Sequence, residues 1–316
     1  MKPLRFFDSH CDTAYELYHR GVGLDENNCH VSIHNASPYS AYAQYYAVWS
    51  NRRLDDEACW QDFLRIAEYF DRDISRLSDK VVRVRSAGEL SDALNNGKHA
   101  AILAVEDARL IAGDLSRLDI LYGMGVRYLT LLWGGNTCIG GSHDTENGLT
   151  ELGKQTVRRC FELGIIPDIS HASEQSTDDI LNIATEYGKP VIASHSNAYS
   201  LYGHSRNLRD RHFDTIRALG GTVGVSLCRS HLTNTKEHSA TPEDVFAHVD
   251  YYLSRGGKDV VGFGADWDGT DLPDGTENVG AMPLVAEIMA RHNYSDELID
   301  KIFFGNAYSF AIRNLK

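Results

Sequence analysis

The stretch LRFFDSHCD, residues 4–12, is an apolar run that ends in a histidine and an aspartate two positions apart. Side chains alternate across a β-strand, so a strand here would point His10 and Asp12 to one side and Cys11 to the other. An imidazole and a carboxylate that converge at a strand end can hold a divalent cation. The stretch therefore predicts a buried first strand with part of a metal site at its end.

Seven further β-rich runs alternate with helical patterns along the 316 residues. Several are almost continuously apolar, as expected of parallel strands that are buried on both faces. Eight strand–helix alternations predict an α/β fold, a (β/α)8 TIM-type barrel, as a single domain over residues 1–316. The eight runs are Leu4–His10, Ala43–Ser50, Ala100–Glu106, Tyr128–Trp133, Ile165–His171, Pro190–His195, Gly221–Leu227 and Val260–Asp266.

The segments between these runs carry helix start and stop signals. The stretch TPED, residues 241–244, offers an N-cap, a proline at the first helical position and an acid at the third. That helix would end at Gly256-Gly257. The connection from about Arg20 to Tyr42 is irregular and is expected to border the mouth of the barrel. Further helices are predicted over Asp62–Arg76, Thr150–Leu163 and Asp178–Tyr187.

Composition excludes several classes of partner and location. The net charge of −13 argues against nucleic acid and against anionic membrane surfaces, because both attract basic patches. No apolar stretch approaches the roughly 20 residues of a membrane span, and we expect neither a signal peptide nor a lipid-anchor tail. The six cysteines form no C-x-x-C pair, so a disulfide framework is not expected. These features predict a reduced, cytoplasmic protein.

Three imidazoles and two carboxylates end the runs of the predicted barrel, at the end where active sites of this fold lie. Such a mixed set suits Zn²⁺, or Mn²⁺, Fe²⁺ or Co²⁺. Five ligands are too many for one catalytic zinc with an open position, but they suit two cations about 3.5–4 Å apart that share a hydroxide. Glu106, between the N-terminal pair and the two later histidines, is the expected bridge. The set is His10, Asp12, Glu106, His171 and His195.

Two further polar residues are predicted to act on a substrate. Asp266 ends the eighth run and could orient the hydroxide, accept its proton and pass it to a leaving amine. Asp268 would share the same face at period two and is the competing candidate. Arg206, in a loop after His195, could bind a substrate carboxylate through two parallel hydrogen bonds.

These segments together resemble the membrane (renal) dipeptidase family, peptidase family M19, and in particular its soluble bacterial members. Histidine-x-aspartate in place of histidine-x-histidine distinguishes this family from most other amidohydrolase-like barrels. The matching segments, in family order, are DSHCD (8–12), VE (105–106), RYLTL (127–131), GLTELG (148–153), DISH (168–171), SHSNAY (194–199), SRN (205–207), GFGADWDG (262–269) and GN (305–306).

The resemblance implies a zinc dipeptidase with two Zn²⁺ per chain, bridged by Glu106 and a hydroxide that attacks the peptide carbonyl. His10 and Asp12 would bind one zinc, and His171 and His195 the other. Arg206 matches the family's carboxylate-binding arginine, and Asp266 its amine-facing, proton-transferring aspartate. The resemblance also implies a homodimer and dipeptide substrates, among them dipeptides with a D-residue at the C-terminal position.

One position departs from the animal enzymes, which carry a histidine near the scissile carbonyl where this chain has Trp133. An indole offers one N–H donor and does not titrate, so Trp133 is expected to form a wall of the substrate pocket. His143, ten residues later, is a candidate substitute. Two alternatives stay open: a dinuclear amidohydrolase acting on another amide or an N-acyl amino acid, and a catalytically inactive metal-binding protein.

Overall fold

All eight predicted runs contain a parallel strand in the computed structural model, which describes residues 3–316. Met1 and Lys2, the first residues of the predicted domain, lie outside the described residues. A ninth, shorter strand also joins the sheet. The strands are β1 (Arg5–Cys11), β2 (Ala41–Trp49), β3 (Val81–Val84), β4 (His99–Glu106), β5 (Val126–Thr130), β6 (Ile166–Asp168), β7 (Ile192–Ala193), β8 (Thr222–Val225) and β9 (Val261–Phe263).

The sheet closes into a barrel because β1 pairs with both β2 and β9, and β2 pairs directly with β4. From β4 the pairing continues in chain order through β5, β6, β7 and β8 to β9. All of these pairings are parallel, so the carboxyl ends of eight strands meet at one mouth. The predicted (β/α)8 barrel is confirmed.

Strand β3 was not predicted from the sequence. It pairs with residues 99–102 of β4, whereas β5 pairs with residues 103–106, so that both strands share one edge of β4. Four residues that include Arg83 give too short a pattern to be recognised as a strand. The extra strand lengthens the sheet outside the eight-stranded barrel.

Three of the predicted runs that end in a candidate site residue extend beyond the strands that they contain. Strand β6 ends three residues before His171, β7 ends two residues before His195, and β9 ends three residues before Asp266. The φ angles of His171 and Asp266 are +68° and +66°, which lie in the left-handed region that residues with a side chain adopt rarely. These polar residues therefore occupy loops at the barrel mouth rather than strands.

Helices connect and cover the strands. Helix α2 begins six residues before the predicted start, because the Asp55 side chain accepts from Ala58 N–H. Helix α6 begins four residues early, with Ser173 accepting from Ser176 N–H. The α-helices are α1 (Thr13–Arg20), α2 (Asp56–Arg76), α3 (Ala87–Asn95), α4 (Ser116–Gly123), α5 (Glu151–Leu163), α6 (Glu174–Tyr187), α7 (Asp210–Ala218), α8 (Arg229–Leu232), α9 (Pro242–Ser254), α10 (Pro283–Arg291), α11 (Asp296–Asp300) and α12 (Asn306–Asn314).

The short helical turns cover Ala108–Ile111, Gly257–Asp259 and Val279–Ala281, and a π-helical turn covers Lys301–Gly305. Within residues 3–316, no helix is both long enough and apolar enough to cross a membrane. The connection over residues 21–40 contains no regular helix or strand. Its His30 contacts Asp268, which lines the cavity at the barrel mouth.

The aromatic layer around β9 supports the barrel. Phe263 is fully buried and its ring packs against Phe303 at 4.7 Å and Phe6 at 6.0 Å between ring centroids. We expect Phe263→Ala to lower the free energy of unfolding by about 3–5 kcal/mol, because it removes a ring and leaves a cavity. Urea unfolding at constant metal loading measures this change.

Two variants serve as comparisons for Phe263→Ala. Phe263→Leu keeps most of the buried volume and should lose less than about 1.5 kcal/mol. Leu201→Ala removes a side chain that is 46% exposed and should change stability by no more than about 0.5 kcal/mol. A loss for Phe263→Ala as small as that for Leu201→Ala would contradict the packing described for β9.

Candidate metal centre

The five residues predicted as metal ligands lie together at the barrel mouth. Glu106 is at their centre: its Oε1 lies 3.0 Å from His171 Nε2, 3.4 Å from His195 Nε2 and 3.7 Å from His10 Nε2. Asp12 Oδ2 lies 3.6 Å from His10 Nε2. Two sets of donor atoms, one of His10, Asp12 and Glu106 and one of Glu106, His171 and His195, each fit around one cation. Glu106 belongs to both.

A register irregularity directs His10 into the barrel. The pairing of β1 with β2 shifts between Asp8 and Cys11, which inserts an extra residue in β1. Phe7 and His10, three positions apart, therefore both face the Tyr45–Tyr128 pair inside the barrel. Strict alternation from Phe7 would have turned His10 outward.

A turn after strand β1 places Asp12 beside the other candidate ligands, whereas the sequence predicted that strand alternation would do so. Strand β1 ends at Cys11, and Asp12 precedes helix α1 with φ −94° and ψ 10°. Its backbone N–H donates to the Trp267 carbonyl oxygen at 2.8 Å, which fixes this turn against the loop after β9. The Cys11 side chain is buried on the other side of the strand, as predicted.

The ring orientation of His10 follows from its second nitrogen. His10 Nδ1 lies 2.8 Å from the Tyr128 hydroxyl. That hydroxyl donates to the Ser9 carbonyl oxygen at 3.0 Å, so it accepts from His10 Nδ1–H. In the neutral ring this tautomer leaves the Nε2 lone pair directed toward Glu106 and Asp12.

The other two histidines are oriented in the same way. His171 Nδ1 donates to the Trp133 carbonyl oxygen at 3.0 Å. His195 Nδ1 lies 2.7 Å from the Ser194 hydroxyl, which donates to Asp168 Oδ2 at 2.5 Å and therefore accepts from His195. Outer partners of this kind fix the tautomer of metal-binding histidines. Asp168 and Ser194 belong to the DISH and SHSNAY segments, but their role in orienting His195 was not predicted from the sequence.

Three Nε2 lone pairs thus converge on the carboxylates of Glu106 and Asp12. His171 Nε2 and His195 Nε2 lie only 2.9 Å apart, yet each ring has its proton on Nδ1. His10 Nε2 and Asp12 Oδ1 are buried without a hydrogen-bond partner within residues 3–316. Buried lone pairs that face each other are costly unless positive charge lies between them. The donor set fits divalent cations.

The electrostatics of the cluster agree with this fit. Burial, followed by the charge of Asp12, raises the pKa of Glu106 well above its usual range. Burial lowers the pKa of His10, but the charges of Glu106, Asp12 and Asp266 outweigh it and raise the pKa to about 10. Burial lowers the pKa of His195 well below its usual range. The carboxylate side of the cluster therefore attracts positive charge.

Of the two competing aspartates, Asp266 is the one that faces the cluster. Its Oδ1 lies 3.8 Å from His10 Nε2, and burial is the main cause that raises its pKa to about 6. The Asp268 carboxylate accepts from His30 N–H at 2.7 Å and from the Thr13 hydroxyl at 2.5 Å. Asp268 is therefore engaged by the protein. Asp266 and Asp268 have φ angles of +66° and +67°, so strand alternation does not apply to them.

Because Gly269 has no side chain, the carboxylates of Asp12 and Asp266 can lie close to its backbone. A Cβ atom at this position would lie 2.1 Å from Asp12 Oδ2 and 2.6 Å from Asp266 Oδ1. We expect Gly269→Ala to displace both carboxylates and to lower kcat/KM at least tenfold, which corresponds to about 1.4 kcal/mol. Steady-state kinetics together with bound-metal analysis measures the effect.

Gly123→Ala is the matched control, because a Cβ atom at Gly123 has no neighbour within 4 Å. This variant should keep both its metal content and its kcat/KM. Equal kinetics for Gly269→Ala and Gly123→Ala would show that the space beside Asp12 and Asp266 does not limit the site.

A cavity of about 750 Å³ opens over the cluster. Asp12, Glu106, His171, Asp266 and Arg206 all line it. Such a volume is in the range of sites for small molecules. Three of the five clustered residues, Asp12, Glu106 and His171, thus face one space together with both predicted substrate-binding groups.

Arg206 is buried and has no carboxylate within ion-pair distance in the described part of the chain. Its Nη2 donates to the His195 carbonyl oxygen at 3.3 Å, and its Nε has no partner. Burial lowers the pKa of Arg206, which Asp266 and Glu106 partly offset. A buried guanidinium with free donors is suited to an anionic group of a ligand.

Trp133 forms part of the cavity wall, as predicted. Its ring lies 5.0 Å from Trp49 and 5.9 Å from His171 between centroids. The His143 ring also lies 5.9 Å from that of His171 between centroids, and its Nδ1 is 2.9 Å from the Ser205 hydroxyl. Both residues predicted for this region face the same cavity.

Comparison with known proteins gives a consistent result. A sequence profile of the membrane dipeptidase family, peptidase family M19, matches residues 1–310. A curated protein named dipeptidase tcpJ, from Claviceps purpurea, is 32% identical over 252 residues, which is 78% of this chain. The matched region spans 58% of the length of that fungal protein.

Two solved structures match the fold of this chain over nearly its full length. The crystal structure of dipeptidase AC, described as a metallopeptidase of family M19, matches with a TM-score of 0.92 and 27% identity and covers 99% of both chains. A metallopeptidase from Rhodobacter sphaeroides, liganded with a phosphinate mimic of the dipeptide L-Ala-D-Ala, matches with a TM-score of 0.91 and 25% identity and covers 100% of both chains.

Proposed function

The chain belongs to the membrane dipeptidase family, peptidase family M19, with an amidohydrolase-like (β/α)8 barrel, and on that premise we propose that it is a zinc-dependent dipeptidase. The observation that carries the proposal is that the unpaired Arg206 and the carboxylate of Asp266 line one cavity with residues of the five-residue cluster. A free dipeptide has a carboxylate and an amine on either side of its peptide bond. Arg206 and Asp266 carry the charges that complement those two groups.

We propose that His10 and Asp12 hold one zinc, that His171 and His195 hold a second, and that Glu106 contributes to both. Two zinc ions held there would polarise the peptide carbonyl and lower the pKa of a water molecule toward neutral pH. The Tyr128, Trp133 and Ser194 partners keep the three imidazoles aimed at the centre. The donor set and the family's metal dependence support zinc as the proposed metal.

Side chains of the protein carry out substrate binding and proton transfer. Arg206 binds the C-terminal carboxylate through its free N–H groups and so positions the peptide bond over the cluster. Asp266 contacts the free amine, accepts a proton from the attacking water and delivers it to the departing nitrogen. Trp133 and Trp49 form the wall beside the N-terminal half of the substrate. A longer peptide would leave the buried Arg206 without its carboxylate, which limits the substrate to two residues.

A related structure bears on which stereoisomers of a dipeptide this chain accepts. The Rhodobacter sphaeroides metallopeptidase holds a mimic of L-Ala-D-Ala, and we propose that this chain also accepts L,D-dipeptides. A single domain over residues 1–316, a homodimer and a cytoplasmic location stay predictions from the sequence.

A substrate screen tests the proposal directly. Zinc-loaded protein should hydrolyse L,L- or L,D-dipeptides with free termini, as measured by the release of amino acids. Dipeptides with an acetylated amine or an amidated carboxylate should react at least tenfold more slowly, because each change removes one charge that the cavity matches. Faster hydrolysis of N-acyl amino acids would instead support the amidohydrolase alternative. A zinc-loaded protein that hydrolyses none of them would support the inactive alternative.

A further inference from the structure

A second group of polar side chains surrounds Arg206 and takes no part in the mechanism above. We call Arg206, His143, His204 and His231 the Arg206 patch. Arg206, His143 and His231 line the same cavity as the cluster. The His204 and His231 rings lie 4.7 Å apart, and the His143 and His204 rings lie 6.5 Å apart.

Short contacts fix the patch as a unit. Arg206 N–H donates to His204 Nδ1 at 3.2 Å, so the Nε2 of His204 carries the proton in the neutral ring. Asn207 Nδ2 donates to the His231 carbonyl oxygen at 2.8 Å, which ties the two loops together. His143 is held by its contact with Ser205. Binding a ligand here would require little rearrangement of these side chains.

The donors of the patch exceed what one carboxylate can use. The two oxygens of an α-carboxylate pair with two parallel N–H groups of an arginine. The ring nitrogens of His231 would then still be without a partner, since neither makes a hydrogen bond within residues 3–316. Asp144, the cavity acid that follows His143 in sequence, already accepts from Gly135 N–H at 2.8 Å. The patch therefore has room and donors for a second acceptor group.

The charge of the patch favours an anionic acceptor over a neutral one. Burial, followed by the positive charge of Arg206, lowers the pKa of His231 well below its usual range. Arg206 forms no ion pair in the described part of the chain, so its charge acts on whatever enters the patch. Neutral imidazoles beside an unpaired guanidinium donate hydrogen bonds most strongly to a carboxylate.

From this arrangement we propose that the preferred substrates are dipeptides whose C-terminal residue is aspartate or glutamate, with the side-chain carboxylate bound by His231. The inference rests on the proposed dipeptidase function, because it assigns the α-carboxylate to Arg206. It adds a specificity site for the second carboxylate.

Isosteric substrates test the inference without any mutation. Zinc-loaded wild-type protein is assayed with alanyl-aspartate, alanyl-asparagine and alanyl-alanine, each with an L- or a D-residue at the C-terminal position. We expect kcat/KM for the better aspartate isomer to exceed that for the matching asparagine isomer about tenfold or more. A ratio of one or less, with alanyl-alanine hydrolysed, overturns the specificity site and leaves the dipeptidase function standing. No hydrolysis of any of them overturns both.

Variants of His231 then locate the effect. His231→Phe keeps a ring but no donor and should reduce the aspartate-to-asparagine ratio to about one. His231→Gln keeps an N–H donor and should retain part of the preference. His292→Phe is the matched control, because His292 is distant in sequence from the Arg206 patch. His292 is exposed, and its ring stacks on that of Phe246 at 4.3 Å between centroids. An unchanged ratio in both His231 variants would overturn the assignment of the second carboxylate to the patch.

Discussion

Replacement of Asp266 by asparagine is expected to lower kcat by about 10²- to 10⁴-fold, which is the usual contribution of a positioned acid–base group. Asparagine has nearly the same shape, so it can fill the left-handed turn that holds Asp266 at φ +66°. It cannot accept a proton from the attacking water. Steady-state kinetics on a free dipeptide, compared at equal metal loading, measures the loss.

Asp266 Oδ1 also lies near His10 and His195, so a role of Asp266 as a metal ligand has to be distinguished from proton transfer. The zinc content of the same variant distinguishes the two roles. We expect Asp266→Asn to retain two zinc ions per chain. Asp271→Asn, in the exposed part of the same loop, is the matched control and should retain full turnover. Near-normal turnover in Asp266→Asn would refute the proton-transfer role, and a loss of zinc would make Asp266 a ligand.

Replacement of Glu106 by glutamine is expected to reduce bound zinc from two ions per chain to one or fewer. Glu106 Oε1 faces the Nε2 atoms of three histidines, and glutamine removes the negative charge that balances two cations there. Zinc affinity should fall by more than the roughly 10- to 100-fold that the loss of an outer partner costs. Elemental analysis of zinc-loaded protein measures the stoichiometry.

Thermal unfolding gives a readout of Glu106→Gln that is independent of activity. Zinc that binds only the folded chain raises the Tm, so the rise on zinc addition should shrink in this variant. Without zinc the variant should be no less stable than the wild type, since burying a carboxylate charge is costly. Glu68→Gln changes an exposed acid of α2 and should behave as wild type. Fewer than one zinc in fully loaded wild-type protein would contradict the dinuclear site.

Much of the fold could be predicted from periodicity. Buried parallel strands give apolar runs, and all eight predicted runs contain a strand of the barrel. Helix starts were less accurate, because Asp55 and Ser173 cap α2 and α6 earlier than the first apolar positions suggested. Strand β3 was missed since four residues carry too little pattern.

The geometry of the candidate site depended on contacts between distant parts of the chain. The identity of His10, Asp12, Glu106, His171 and His195 followed from sequence because a (β/α)8 barrel brings its strand ends to one mouth. Their orientation did not. It depends on Tyr128, Ser194 and the other outer partners, which are separated from most of the ligands in sequence.

The sequence by itself predicted the barrel and the five candidate ligands, because local periodicity and residue type are enough to place polar groups near strand ends, and its motifs indicated the family. Only the tertiary structure decided that Asp266 rather than Asp268 faces the cluster. Both residues adopt left-handed backbone conformations, and Asp268 is held by Thr13 and His30 from the other end of the chain. Side-chain direction beyond the end of a strand is set by such contacts, and alternation no longer predicts it.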